Sequence, residues 1–134
     1  MSLGSWDPDA EQDKASFQLD LELLKRFIAI SQTNQLDQLN KLLSTTEQQI
    51  YSAIMQTEQA QWSAITTDLT EAQLVQLMRF FTVAEKLPGW EAGANSPVIY
   101  LGKILKQRGI GINRELVLWI KAHSDNQFLP HGPL

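Results

Sequence analysis

Residues 87–97 have the sequence LPGWEAGANSP and lie between two strongly apolar helical segments. Pro88-Gly89 is typical of a helix end, because proline disfavours a helical residue before it and glycine accepts the left-handed exit. Ser96-Pro97 is typical of a helix start, with serine as the cap and proline at the first helical position, where no N–H is needed. We therefore interpret 87–97 as a tightly specified junction around which the chain is organised.

The segments on both sides of this junction have the period of amphipathic helices. Between Thr70, a predicted N-cap, and residue 87, apolar side chains cover about half of the helix circumference; they are Leu74, Leu77, Met78, Phe80, Phe81, Ala84 and Leu87. A helix over 97–108 follows, with Gly109 at its end, and another over 113–123. The last of these is so apolar that we expect it to be packed on two sides.

The first half of the chain predicts three further helices. One covers residues 16–30, and a short one follows with Asn34 as its N-cap. Capping-box patterns within 44–48 start another. Because no glycine or proline interrupts 45–65, we predict one long helix there, the alternative being a helix that stops near Thr57 and restarts.

No segment has the alternation of a half-buried strand, so the fold class is all-α, a compact bundle of five to six helices without a β-sheet. A chain of 134 residues is the size of one domain. We divide it into a flexible acidic arm over 1–15 and a single helical domain over 16–134. In the tail of that domain, Phe128 or Leu129 is expected to dock on the body.

Composition limits the classes of protein. The sequence has no cysteine, which excludes a disulfide framework, a cysteine-ligated zinc site and a thiol nucleophile. No segment approaches the roughly 20 apolar residues of a membrane span, and the polar start lacks the apolar core of a secretory signal. We expect a soluble, cytoplasmic protein without membrane contact.

Charge is unevenly distributed along the chain, although the net value is only −4. Residues 1–70 contain ten acidic and four basic residues, whereas 97–134 contain five basic and two acidic ones. An acidic total argues against a dedicated DNA binder, and the apolar segment 113–123 has no polar face to lay against base edges. Contact with phosphate remains open through Lys103, Lys106, Arg108, Arg114 and Lys121.

Two side chains are candidates for chemistry. His123 lies on the apolar arc of its helix, where an imidazole can act as a ligand or catalyst, although a histidine at a helix end more commonly satisfies terminal carbonyls. Glu85 also projects onto an apolar arc, where burial raises a carboxyl pKa; the alternative is that it pairs with a lysine or caps the turn beside Trp90. Neither belongs to a recognisable constellation, so we predict no catalytic residue, no metal site and no cofactor.

The junction is the expected binding surface, because a loop fixed by proline and glycine is rigid. Trp90 is either an anchor that contacts a partner or a plug of the core. The N–H groups at the start of the 97–108 helix are a place for a carboxylate or phosphate of the partner. The candidate binding residues are Trp90, Glu91, Asn95, Ser96 and Lys103.

Five segments of the second half resemble those of a group of small all-helical bacterial proteins of uncharacterised function. They are LPGWEAG at 87–93, SPVI at 96–99, LKQRG at 105–109, WIKA at 119–122 and FLP at 128–130. The resemblance covers roughly residues 69–134. It implies an all-helical fold and brings no activity, substrate or site.

These features predict a small helical protein that works by binding another protein. The partner is unidentified, and self-association is one form of the prediction, because helices 69–87 and 113–123 have more apolar surface than one small bundle covers. The alternative is weak binding of RNA or another phosphate-rich ligand through the basic third. An enzyme is the least supported class.

Overall fold

The computed structural model describes residues 19–132, and all regular structure in that range is helical. The seven α-helices are α1 (Leu21–Gln32), α2 (Leu39–Leu42), α3 (Thr45–Tyr51), α4 (Gln59–Ile65), α5 (Glu71–Ala84), α6 (Pro97–Gln107) and α7 (Arg114–His123). Short 3-10 turns cover Leu36–Gln38, Ser52–Gln56 and Gly93–Asn95. The all-α prediction is confirmed, while the predicted number of five to six helices is too low. The predicted arm over 1–15 lies outside the described residues.

Helix α5 is the centre of the fold. It packs against α1 on one side and α6 on another, and α7 adds a smaller contact. Its first turn has the predicted capping box, in which the Gln73 N–H donates to Thr70 Oγ1 and the Thr70 N–H donates to Gln73 Oε1. The predicted apolar side of this helix is buried, as its period requires.

Four aromatic rings in the core join α1, α4 and α5. Phe27 of α1 stacks on Phe80, with ring centroids 4.0 Å apart. Phe81 meets Phe80 edge to face at 5.1 Å and meets Trp62 of α4 in the same way at 5.5 Å. All four side chains are fully buried, and aromatic pairs favour these two geometries over a face-to-face sandwich that is fully aligned. This aromatic cluster therefore connects the three helices within the core.

The prediction of one long helix over 45–65 is wrong. Helix α3 ends at Tyr51, the chain continues as the 3-10 turn Ser52–Gln56, and Thr57 is extended at φ −66° and ψ 134°. Helix α4 then starts with Gln61 Oε1 accepting the Glu58 N–H at 3.0 Å. A straight helix of that length spans about 30 Å, the width of a small domain, so the break lets both parts pack on the core.

Asn34 ends α1 and does not start the next helix, contrary to the sequence prediction. Its φ is 58°, in the left-handed region that asparagine tolerates better than most residues. The Asn34 N–H donates to the Ser31 carbonyl and the Gln35 N–H to the Ile30 carbonyl, which is the hydrogen-bond pattern of a Schellman C-terminus. Asparagine favours both helix ends, so its presence alone did not distinguish them.

Helix α7 lies at the edge of the bundle, and the prediction that it is packed on two sides is wrong. Only Leu116 and Ile120 are buried, whereas Leu118 on the opposite face is 54% exposed. The chain after α7 turns away from this face and covers α6. There Leu129 is buried, which confirms the predicted docking of the tail, and Gly132 packs on Ile99.

None of the helices within residues 19–132 combines the length and the apolar character that crossing a membrane demands.

Candidate functional site

Trp90 is a core residue of the junction. Its side chain has no exposed surface, and its indole Nε1–H donates to the Gln48 carbonyl at 3.0 Å. This bond ties the junction to the end of α3. Trp90 therefore has no exposed surface that a partner could contact, and it packs in the core as a plug.

Ser96 caps α6 and is also fully buried. Its Oγ accepts the Val98 N–H at 3.1 Å and donates to the Glu85 carboxyl, while the Ser96 carbonyl accepts the Ile99 N–H. Pro97 has no N–H to offer. The N–H groups that were expected to hold an anion at this helix start are therefore already used inside the protein, and the expectation is wrong.

Glu85 links three segments at the base of the junction. Besides Ser96, its carboxyl accepts the Asn126 Nδ2–H at 3.0 Å and the backbone N–H of Ala92. Burial raises the pKa of Glu85, and the hydrogen bonds from Ser96, Asn126 and Ala92 act against that rise. Within residues 19–132 the carboxyl has no ion pair with a lysine, and its bond from Ala92 caps the turn beside Trp90, so its three donors link α5, the junction and the tail.

Asn126 was not predicted from the sequence as a residue of this region. Its Nδ2 also donates to the Gly93 carbonyl at 2.9 Å, and its Oδ1 accepts the Phe128 N–H at 2.9 Å. A single amide thus fixes the tail to the junction. The only sequence signal is an asparagine in a polar turn after a helix, which is too common to identify a long-range contact.

A cleft of about 570 Å³ lies over this network, and we call it the acidic cleft. Its charged lining residues are Glu85, Lys86, Glu91 and Asp125, so carboxyls outnumber the single cation. Glu91, a predicted binding residue, is exposed at its rim. No group of three histidine or carboxylate side chains within 19–132 is arranged to hold a metal ion.

Asn95 lies in a smaller cleft of about 390 Å³ that it shares with Glu91. Its Oδ1 accepts the Tyr100 hydroxyl at 3.2 Å, and the residue is exposed. The structure therefore brings Glu91 and Asn95 together and places Trp90 and Ser96 beneath the surface. Lys103, the fifth predicted residue, lies in a different cleft.

Lys103 belongs to a cleft of about 520 Å³ between α6, the loop 109–112 and the tail. We call it the lysine cleft; its lining residues are Ile99, Gly102, Lys103, Lys106, Gly111, Ile112, Pro130 and His131. Among residues 19–132, no carboxylate side chain lines it. Within the described part of the chain the ion pairs involve Lys25 and Arg26, and neither Lys103 nor Lys106 has one.

Gly102 gives the lysine cleft its floor. A Cβ atom at this position would lie 2.9 Å from Ile112 Cδ1 and 3.5 Å from Met78 Cε. The missing side chain therefore lets Ile112 lie directly on α6. The sequence predicted a close approach at Gly102, and the structure shows that a loop residue, not a neighbouring helix, makes the tightest one.

No protein-family model, curated protein or solved structure matches this chain. The resemblance of residues 69–134 to small helical bacterial proteins accordingly stays a prediction. The case for a function rests on the geometry of the clefts and on the partners of their charged side chains.

The basic residues of the last third do not act as one group. Arg108 donates from its two terminal nitrogens to the Leu69 carbonyl at 2.7 Å and the Thr66 carbonyl at 2.8 Å. These bonds hold the turn between α4 and α5, so this guanidinium is used inside the protein. Arg114 and Lys121 lie on α7 and do not line the lysine cleft. Only Lys103 and Lys106 share a surface depression.

His123 satisfies a helix-end carbonyl, as the more common interpretation of its position predicted. Its Nδ1 is 2.8 Å from the Trp119 carbonyl oxygen, and its ring stacks on the Trp119 indole at 4.2 Å. The Arg79 guanidinium lies 4.7 Å from the same indole. His123 is therefore part of a packing arrangement on the edge helix.

Proposed function

We propose that the protein is an interaction module that binds a segment of another protein in the lysine cleft. One observation carries this proposal: an apolar floor lies open beside two lysines that have no ion pair within the described residues. Ligand sites combine apolar walls with a few convergent polar groups, and 520 Å³ is within their usual range of about 300–1,000 Å³.

The position of the cleft favours a chain segment over a small molecule. Its floor is the side of α6 that carries Ile99 and Gly102, which lie three positions apart, and its walls are the loop 109–112 and the tail. A depression on a helix face supports an extended or helical segment along its length. Lys103 and Lys106, also three residues apart, lie on the same side of the helix and can orient that segment.

Peptides selected from a random displayed library against the full chain test the proposal. We expect selected peptides to bind Gly102→Ala about tenfold more weakly than the wild type, equivalent to about 1.4 kcal/mol. The added methyl displaces the end of the Ile112 side chain into the cleft. The variant keeps its fold, because Ile112 can move and alanine favours a helix over glycine by about 1 kcal/mol.

Lys121→Glu is the matched control, since this lysine is exposed on α7 outside the cleft. Anisotropy titrations of one labelled peptide against both variants and the wild type give the comparison. Equal affinity for all three proteins, or a library that yields no binder, contradicts the proposal.

Self-association is a separate form of protein binding, in which the partner is a second copy and the contact is made by α7, not by the lysine cleft. The observation that favours it is Leu118, 54% exposed near the middle of α7. We expect light scattering to show a mass that rises with concentration toward a dimer, and Leu118→Glu to remain monomeric, because a charge cannot be buried in an apolar contact without a partner. A strict monomer at high concentration argues decisively against self-association.

The second candidate function is binding of RNA or another phosphate-rich ligand. It is favoured by the same two unpaired lysines, since cations without acidic neighbours attract phosphates. It is weakened by Arg108, whose guanidinium already binds two carbonyls. The experiments on the lysine cleft below separate this candidate from protein binding.

A further inference from the structure

We infer that the lysine cleft recognises an acidic segment that contains an aliphatic side chain, with the aliphatic group on the floor and carboxylates beside Lys103 and Lys106. This inference rests on the proposed function, because it specifies the chemistry of the partner that the same cleft binds. It commits to a protein segment as the occupant.

The negative charge of the bound segment follows from the ionisable groups that line the cleft. These groups are Lys103, Lys106 and His131, and no aspartate or glutamate is among them. Within the described residues, the ion pairs lie on α1, where Lys25 pairs with Glu22 at 3.8 Å and Arg26 with Glu47 at 2.8 Å. A partner that supplies carboxylates gives the two lysines the ion pairs that the described residues do not provide.

The two clefts beside the tail differ in charge, and this difference strengthens the assignment. Residues 124–128 line the acidic cleft, together with Glu85 and Glu91, whereas Pro130 and His131 line the lysine cleft. An acidic segment is therefore attracted to one of these depressions and repelled by the other. Complementary potential of this kind gives specificity and a faster association rate more than it gives affinity.

The floor determines the apolar part of the ligand. Ile112 is half-buried where it lies on Gly102 and provides aliphatic surface, whereas Ile99 beside it is almost fully buried. Burying an aliphatic side chain against such a surface is favourable in proportion to the apolar area removed from water. A ligand that has charged groups but no aliphatic side chain leaves this surface in contact with water and lacks the free energy of apolar burial.

RNA fits the lysine cleft less well than an acidic peptide does. Single-stranded nucleic acid binds through cations combined with aromatic side chains on which the bases stack. In the part of the chain that the structure describes, the imidazole of His131 is the one aromatic ring that lines this cleft. The Gly111 N–H, a backbone donor in the lining, is directed to the Leu105 carbonyl and not to an anion.

Three labelled peptides of equal length test the inference when titrated into the full chain. In the first, a leucine is flanked by glutamates; in the second, glutamines replace the glutamates; in the third, alanine replaces the leucine. We expect the first to bind at least tenfold more tightly than either of the others. Its advantage over the glutamine peptide should shrink as salt is raised from low to moderate concentration, because screening weakens exposed ion pairs.

Paired variants assign the preference to the two lysines. In the double variant Lys103→Gln, Lys106→Gln, the acidic peptide should lose its advantage over the glutamine peptide and keep its advantage over the alanine peptide. The double variant Lys103→Arg, Lys106→Arg should restore the preference for acid, because it restores both charges. Lys121→Gln is the matched control and should leave all three affinities unchanged. All of these side chains are exposed, and a thermal melt confirms that each variant is folded.

The outcomes separate this inference from the proposed function. Equal binding of the acidic and glutamine peptides overturns the inference and leaves protein binding in place. Failure of all three peptides, while library-selected peptides still bind, overturns the inference alone. Failure of both sets removes the proposed function as well. A single-stranded RNA that displaces the acidic peptide and depends on Lys103 and Lys106 overturns the inference in favour of a phosphate ligand.

Discussion

Trp90→Ala should lower the free energy of unfolding by about 3–5 kcal/mol, the range for a fully buried large aromatic side chain. The indole is completely enclosed, and its Nε1–H is bonded to the Gln48 carbonyl. The substitution therefore leaves a cavity between the junction and α3 and removes one of the two donors of that carbonyl, the other being the Ser52 N–H. Denaturant unfolding of both proteins, followed by far-ultraviolet circular dichroism, measures the loss.

Trp119→Ala is the matched control for this prediction. Trp119 is only partly buried on the edge helix, where it contacts Arg79 and His123, so its loss should cost distinctly less. If both variants lose the same free energy, Trp90 is not the core plug that its burial indicates. If the Trp90→Ala protein instead keeps its stability but fails to bind the library-selected peptides, Trp90 acts as an anchor for the partner.

Phe81→Ala should also cost about 3–5 kcal/mol. Phe81 is fully buried and meets the rings of Phe27, Phe80 and Trp62, so it joins α1, α4 and α5. Three edge-to-face contacts disappear together with the buried area. Urea unfolding gives the change, with the slope of the transition as a check that the two-state description still holds.

Val83→Ala is the matched control on the same helix, because Val83 is only partly buried. Helix propensity rises from valine to alanine, so its net effect should be small. An equal loss of free energy from Val83→Ala and Phe81→Ala contradicts the stabilising role assigned to the aromatic cluster.

Helix ends could be predicted where their signals act within a few residues. Thr70 forms its capping box with Gln73, Asn113 accepts the Leu116 N–H, and Ser96-Pro97 starts α6. Each of these signals depends on contacts between residues close in the sequence. The all-α fold class followed for the same reason, since helical periods are local patterns.

Predictions failed where contacts between distant residues decide the structure. The break at Thr57 depends on how α3 and α4 pack on the core, and no glycine or proline marks it. Helix α7 is packed on one side only, with Leu118 exposed, and nothing in its own sequence fixes which neighbours cover it. Asparagine is favoured both at the start and at the end of a helix, so only the packed structure shows that Asn34 ends α1.

The candidate site was predicted only in part. Lys103 was identified as a binding residue, but Ile112 and Pro130 complete its cleft from segments that are distant in the sequence. Trp90 and Ser96 drew attention because they stand out in the junction, and both are buried. Conspicuous residues in a fixed loop serve folding as often as binding, and exposure is known only from the structure.

Two-dimensional NMR of the isotope-labelled full chain, titrated with a library-selected peptide, tests most directly whether the lysine cleft is the docking surface. We predict shift changes at the backbone amides of residues 99–112 and 130–132, with those of 87–97 unchanged. Shift changes centred on 87–97, with the amides around Lys103 unaffected, would contradict the account, because the partner would then dock on the junction.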